Sequence, residues 1–279
     1  MAVVVITGCS SGFGLLSALH FARQGDTVYA TMRNTAKAVE LEQAKQAESL
    51  PIEVLQLDVT DDASVAAAAR HVLDAAGRVD VLVNNAGLGH HGPIEDTDLA
   101  GAREIFETNF FGALRVTNAF LPAMRKQGSG VIVNVSSLAA PVTPPFTGIY
   151  AASKRALEGI SEALHYEMHP FGVRVAIIEP GGFETSIEQN RRMAERFTEG
   201  SAYLGIEQRF TQSLSRLPAA AERADAQIVA EAIYHAVHDE QPKLRYLVGQ
   251  DAEGIGGLRR QLDDTQFEQT MRQALDFWE

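Results

Sequence analysis

Strand-length apolar runs alternate with helix-length stretches along most of this chain, and that alternation restricts the fold more than any other feature. The strand runs are 3–7, 27–31, 52–57, 79–83, 131–135, 173–178 and 244–248. They are short, rich in Val and Ile, and apolar at nearly every position, as strands covered on both faces must be. Between them lie helical patterns at 12–24, 35–49, 61–76, 98–126, 149–168 and 223–238. A strand–helix–strand order at this spacing implies parallel pairing, because parallel neighbours need a crossover long enough to return to the same edge. The expected architecture is α/β: a three-layer, doubly wound parallel sheet of about seven strands. No repeat, low-complexity linker or boundary interrupts 1–279, so one domain is expected.

Between 183 and 217 the pattern changes. Phe183, Ile187, Met193, Phe197, Tyr203, Ile206, Phe210, Leu214 and Leu217 recur mostly at steps of three or four, with Gly200 and Gly205 as breaks. This segment reads as short amphipathic helices covering a substrate; the alternative is that they only cover core. The tail after Gly249 is weakly patterned.

Charge and composition exclude several partners. Asp and Glu number 36 against 24 Lys and Arg, a net charge of −12 in 279 residues. Nucleic-acid backbones are met by clustered cations, so no nucleic-acid partner is expected. No apolar run reaches the ~18 residues of a membrane span, and no basic leader precedes the first strand. A lone cysteine, Cys9, permits no internal disulfide and fits a reducing, cytoplasmic setting. No metal site is expected. His90 and His91 are adjacent, so they do not converge on one ion, and they read as solvated or as lining a pocket mouth.

The first strand runs into Thr7-Gly8-Cys9-Ser10-Ser11-Gly12-Phe13-Gly14 and then a helix. Glycines allow a sharp turn and close backbone approach, and the helix N-terminus offers free N–H groups to a phosphate. After the first strand of a βαβ unit, this is a dinucleotide-binding signal. The second strand ends Ala30-Thr31-Met32-Arg33, without the acid that would accept from a ribose 2′-hydroxyl. Arg33 would instead meet a 2′-phosphate, with Ser11 adding a hydroxyl, which favours NADP(H) over NAD(H). The alternative is a solvated surface arginine. Cys9 reads as a small filler or as a thiol activated by the helix end.

Asn84-Asn85-Ala86-Gly87 follows the fourth strand, where small residues let a cofactor lie against the backbone. Asn109 lies inside a helical stretch, an unfavourable place for Asn without a special role. Ser136-Ser137 ends the fifth strand, and Tyr150-Ala151-Ala152-Ser153-Lys154 opens the next helix. Tyr150 and Lys154 share a helix face. A nearby ammonium is expected to lower the phenol's pKa from its usual ~10, so that the phenol can exchange a proton with a carbonyl or carbinol oxygen. A serine beside it would hold the same oxygen.

Taken together, the glycine loop, Asn-Asn-Ala-Gly, Asn109, Ser137 and Tyr150-x-x-x-Lys154 resemble the short-chain dehydrogenase/reductase family over about 3–185. Thr7-Gly-Cys-Ser-Ser-Gly and 28–33 look most like its hydroxysteroid and retinol dehydrogenase-like members. The resemblance implies a Rossmann-type fold and a catalytic tetrad of Asn109, Ser137, Tyr150 and Lys154. It also implies cofactor contacts from Gly8, Ser10, Ser11, Gly12, Phe13, Gly14, Asn85, Ala86 and Gly87. Asp58-Val59 would meet the adenine, with helix capping as the other reading of Asp58. Lys154 would hold the nicotinamide ribose, Asn109 a relay water, and Pro180, Gly181 and Thr185 the nicotinamide turn. The expected activity is hydride transfer between NADP(H) and a carbonyl or alcohol of a mostly apolar small molecule. A non-catalytic NADP(H) sensor is the alternative. The family's habit of pairing through helices matching 98–126 and 149–168 implies a homodimer or homotetramer. An acyl-carrier substrate would need a basic patch, for which Arg191-Arg192 is the candidate.

Overall fold

Each expected strand forms, and one more ribbon appears beside them. The computed structural model describes residues 1–185, 187, 191–216 and 224–277. The strands are β1 (Val3–Thr7), β2 (Thr27–Met32), β3 (Ile52–Gln56), β4 (Val81–Asn84), β5 (His90–His91), β6 (Gly130–Val135), β7 (Val173–Pro180), β8 (Arg192–Met193) and β9 (Arg245–Val248). Among the described residues, seven of them form one sheet in the order β3-β2-β1-β4-β6-β7-β9. Every neighbouring pair is parallel. β5 and β8 pair separately, joining the loop after β4 to the segment after β7.

Side-chain alternation along the strands assigns the two faces. Val4 and Ile6 of β1 point to one side, with Val28, Ala30, Val81 and Val83. There they meet Leu15, Leu19 and Phe21 of α1 (Gly12–Arg23). Val5, Tyr29, Leu82 and Ile132 point to the other side. They meet Val65 and Val72 from the helix Asp62–Ala76, and Val116, Phe120 and Met124 from the helix Ala113–Gln127. Phe21, Phe120 and Met124 are fully buried. Each such side chain contributes roughly 1.5–3 kcal/mol of apolar transfer, which is why the strands need covers on both faces.

The sheet order reverses between β1 and β4. Chain leaving the carboxyl ends of these neighbours departs to opposite faces, and a crevice opens there. Their register, Val4 with Val81 and Ile6 with Val83, brings the loops after both strands to one edge.

The remaining helices, in chain order, are α2 (Val39–Glu48), α3 (Asp62–Ala76), α4 (Leu99–Phe106), α5 (Ala113–Gln127), α6 (Ala139–Val142), α7 (Gly148–Met168), α8 (Leu204–Leu214), α9 (Gln227–His238), α10 (Gly257–Gln261) and α11 (Asp264–Leu275). Three differ from expectation. The 98–126 stretch is not one α-helix: a π-helical turn at Glu107–Gly112 separates α4 from α5. Such a turn takes one extra residue and commonly sits at functional sites. The 35–49 stretch begins as a 3-10 turn, Thr35–Lys37, before α2. The weakly patterned tail is helical: Asp263 and Gln266 form a reciprocal capping box that starts α11.

A second, smaller apolar cluster lies outside the two main cores. Phe146, Phe210, Leu275 and Phe277 are buried together, with Tyr203, Ile206 and Met271 packed around them. Thus α8 and the tail cover the same place. The expected helices between 183 and 217 are represented there by α8; Ser186, 188–190 and Leu217 lie outside the described residues.

Candidate active site

The crevice beside β1 and β4 is a cleft of about 440 Å³. Its floor is the glycine loop. Gly8 has φ of +75°, and a Cβ there would sit 2.8 Å from the Ala86 Cα. A Cβ on Gly14 would strike the Gly8 carbonyl and lie 2.5 Å from Asn85 Nδ2. Both positions therefore exclude a side chain. The loop is locked to the chain after β4: the Asn85 and Ala86 amides each donate to Thr7 Oγ1 at 3.0 Å. Asn85 Nδ2 donates to the Thr7 carbonyl at 2.8 Å. Cys9 lies beneath, fully buried, and burial raises its thiol pKa against the opposing Thr31 backbone contact. It is a filler, not an activated nucleophile.

Most expected cofactor residues line this cleft: Gly8, Ser10, Ser11, Gly12 and Phe13 from the loop, and Asn85, Ala86 and Gly87 after β4. Arg33, Asp58, Val59 and Thr185 line it too. Gly14, Pro180 and Gly181 do not. Gly14 instead packs α1 against the loop. The Pro180 carbonyl accepts from the Leu138 amide at 2.8 Å, and Gly181 N donates to the Val248 carbonyl at 2.9 Å.

Lys37 was missed from sequence. It also lines the cleft, because the 3-10 turn capped by Asn34 returns it beside Arg33. Two cations and no acid thus follow β2. Asp251 was missed as well: it accepts from the Gly182 amide at 2.7 Å and packs on Gly181, fixing the turn after β7 from a distant helix. Asp58 Oδ1 accepts from Thr60 N at 3.0 Å and Thr60 Oγ1 at 2.7 Å. The α3 cap is Asp61, so Asp58 shapes the turn and does not cap the helix.

The catalytic candidates converge. The Ser137 hydroxyl lies near enough to the partly buried Tyr150 to lower its pKa. The Lys154 side chain, 3% exposed, donates from Nζ to the Val135 carbonyl at 2.8 Å. Its Nζ lies 5.9 Å from the Tyr150 ring centroid. Asn109, in the π turn, is fully engaged: Oδ1 accepts from Leu88 N at 2.7 Å, and Nδ2 donates to Leu88 O at 2.9 Å and Ser153 Oγ at 3.0 Å. Tyr150, Lys154 and Ser136 line the cleft; Asn109 and Ser137 are not among its lining residues. The Ser136 hydroxyl is directed to Glu158, donating to Oε1 at 2.5 Å.

The electrostatics correct one expectation. The Tyr150 phenol is raised above its usual value, because burial outweighs the nearby Ser137 hydroxyl. The Lys154 ammonium at this distance does not reverse that. Lys154 is itself lowered by burial to about 8, with the Glu158 carboxylate pulling upward.

Two further expectations change. His90 and His91 are not solvated: they are 4% and 9% exposed. His91 Nε2 pairs with Glu207 Oε1 at 3.0 Å, tying β5 to α8, and packs near Phe146 and Phe197. Arg192 is committed to Glu104 at 2.5 Å and Asp98 at 3.5 Å, so it is not free to dock an acidic carrier. Among the described residues, no cluster of three or more His, Cys, Asp or Glu could hold a metal, and no helix is long and apolar enough to cross a membrane.

Known proteins match this arrangement. A family model described as short chain dehydrogenase matches residues 2–196. Human 17-beta-hydroxysteroid dehydrogenase type 1 is 37% identical over 270 residues, covering 94% of this chain and 81% of that protein. Bovine retinol dehydrogenase 8 is 44% identical over 189 residues, covering 66% of this chain and 60% of that one. A solved short-chain dehydrogenase from Streptomyces avermitilis superimposes with a TM-score of 0.79 at 36% identity, covering 97% of this chain and 98% of its own.

Proposed function

The chain belongs to the short-chain dehydrogenase family and is an oxidoreductase of alcohols and ketones; from that premise we propose an NADP(H)-dependent enzyme acting on a mostly apolar carbonyl or alcohol, within one catalytic domain. The observation that carries the reading is Tyr150 lining the cleft, near enough to Ser137 for that hydroxyl to lower its pKa, with Lys154 Nζ 5.9 Å from its ring centroid on the same helix face. The glycine cradle fits a dinucleotide: side chains are excluded at Gly8 and Gly14, and the N-terminus of α1 opens into the cleft. Gly8 to Gly14 and Asn85 to Gly87 would hold the backbone of NADP(H), Asp58 and Val59 the adenine, and Thr185 the nicotinamide end. Arg33 and Lys37 favour a 2′-phosphate, since both are cations at the end of β2 and no acid competes. When bound, the cofactor supplies or accepts a hydride at a carbonyl carbon.

The protein's own residues manage the proton. Ser137 Oγ would hold the substrate oxygen beside Tyr150. Because burial raises the phenol's pKa, Tyr150 keeps its proton at neutral pH and is set to donate it, which supports carbonyl reduction. Lys154 would reach the nicotinamide ribose from the Val135 carbonyl. Asn109 ties the π turn to Ser153 and so to the first turns of α7. The aromatic group of Phe146, Phe197 and Phe210, the last on α8, supports an apolar substrate, in keeping with the hydroxysteroid and retinol names of the relatives. A homodimer is supported by exposed Leu99 and Phe111 around a shallow apolar hollow on α4 and the π turn.

A panel of ketones and alcohols followed by NADPH absorbance tests the activity. Tyr150→Phe should lower kcat/KM by about 10²–10⁴-fold. Turnover that survives the change would remove Tyr150 from the chemistry, and a wild type inert on every compound would favour a nucleotide sensor.

A further inference from the structure

Three consecutive residues at the end of β6 meet three positions on one face of α7. The Val135 carbonyl accepts from Lys154 Nζ at 2.8 Å. Ser136 Oγ donates to Glu158 Oε1 at 2.5 Å. Ser137 lies near enough to Tyr150 to lower its pKa. Positions 150, 154 and 158 rise by one turn each on a helix of 3.6 residues per turn. Two of these contacts belong to the proposed chemistry; the third, through Glu158, has no role in it.

Glu158 is 6% exposed and is not isolated. Its Oε2 accepts from Arg245 Nη1 of β9 at 2.8 Å. The same Nη1 donates to Glu179 Oε1 of β7 at 2.6 Å, and Nη2 to Glu162 Oε1 of α7 at 2.5 Å. Arg260 of α10 pairs with the other Glu179 oxygen. The charged groups facing this region from every packed element are therefore Lys154, Glu158 and Glu162 on α7, Glu179 on β7, Arg245 on β9 and Arg260 on α10. Cations and carboxylates are equal in number. Removing the Glu158 charge leaves Lys154 in a buried cluster with excess positive charge.

We propose that Glu158 is a positioning residue for the Tyr150–Lys154 pair: its carboxylate, one turn below Lys154 and held by Ser136 and Arg245, keeps Lys154 an ammonium in a buried site. An ammonium in low dielectric loses its proton unless an opposite charge compensates. Burial lowers Lys154 and Glu158 is the carboxylate that opposes it, the balance lying at about 8. Arg245 bridges Glu158 and Glu179, and Arg260 holds the other Glu179 oxygen. On balance Glu179 is raised: burial and Glu158 raise its pKa more than Arg260 and Arg245 lower it. Through Arg260, the C-terminal segment reaches Glu179, which shares Arg245 with Glu158.

The proposal rests on the catalytic reading of Tyr150 and Lys154, yet the two fail in different experiments. The cofactor-free protein is labelled at lysine ¹³Cε, and the resonances of Lys37, Lys45, Lys126, Lys154 and Lys243 are followed with pH. Glu158→Gln should lower the Lys154 midpoint by about one pH unit, and Glu158→Asp, which draws the charge back by one methylene, by less. Ser136→Ala removes the hydrogen bond but not the charge and should leave the midpoint in place. In steady-state reduction, the basic limb of kcat should move to lower pH in Glu158→Gln by a similar amount. A Lys154 midpoint equal in wild type and Glu158→Gln would overturn the proposal, as would a loss of kcat uniform across pH. If Glu158→Gln does not fold, Glu158→Asp carries the test, and an unmoved midpoint there would overturn it too. Turnover by Tyr150→Phe would instead overturn the catalytic reading and leave the Lys154 titration standing.

Discussion

Arg33 and Lys37 carry the cofactor claim at the scale of single residues. Arg33 is exposed, so its contact with a 2′-phosphate would be screened by salt, and its worth is at most that of a charge-assisted hydrogen bond, about 1.5–3 kcal/mol. Arg33→Ala should weaken NADPH binding by roughly 10–100-fold at low salt and leave NADH binding nearly unchanged. Lys37→Ala should give a smaller effect of the same kind, because an ammonium meets phosphate without Arg's two-pronged geometry. Fluorescence titration with both nucleotides separates them; equal losses for NADH and NADPH would remove the 2′-phosphate from the explanation. Arg33 was legible in the sequence because strand two ends without an acid. Lys37 was not, since only the 3-10 turn after Asn34 brings it to the same cleft.

At the scale of elements, the apolar cluster proposed to cover the substrate is assembled from parts distant in sequence. α8 contributes Phe210, the tail contributes Leu275 and Phe277, and the loop before α7 contributes Phe146. Phe210 and Phe277 meet edge-on with centroids 5.0 Å apart. Phe277→Ala would remove a buried ring from a satellite cluster and not from the sheet core, at a local cost of about 3–5 kcal/mol. The expected result is an increase in KM for an apolar substrate of about tenfold, with NADPH affinity unchanged. Parallel loss of both affinities would show that the tail supports the whole fold and not the cover. The capping box at Asp263 and Gln266 was present in the sequence as a start signal for α11, but the helix has few apolar residues, so its pattern was weak. The π turn at Glu107–Gly112 had one signal, an Asn inside a helical stretch. The β5–β8 ribbon had none: two-residue strands are too short for a period, and the burial of His90 and His91 follows only from the pairing.

The whole molecule carries a net charge of −12 yet is read as holding a polyanion. Its global field opposes that ligand, so binding must come from local groups: the amides of the glycine loop, the N-terminus of α1, and Arg33 with Lys37. Assembly belongs to this scale as well. Leu99 is 71% exposed and Phe111 46% exposed on the same face of α4 and the π turn. A Leu99→Glu, Phe111→Glu double variant should shift sedimentation from dimer toward monomer, because a carboxylate buried at an apolar contact is left without a partner. A wild type that sediments as a monomer at micromolar concentration would dispose of this interface.

The sequence by itself determined the parallel sheet, the glycine loop at its edge and the one-turn spacing of Tyr150 and Lys154. Each of these depends on local rules: period, turn chemistry, and residues one helical turn apart. Tertiary structure decided what those rules do not reach. It returned Lys37 to the cleft, anchored the turn after β7 on Asp251, packed the tail against α8, and tied Glu158, one turn from Lys154, to Arg245. It also reversed the sign expected for Tyr150. The shift of a buried phenol is a sum over everything that excludes water from it, and that sum exists only once β6, α7 and the π turn have packed together.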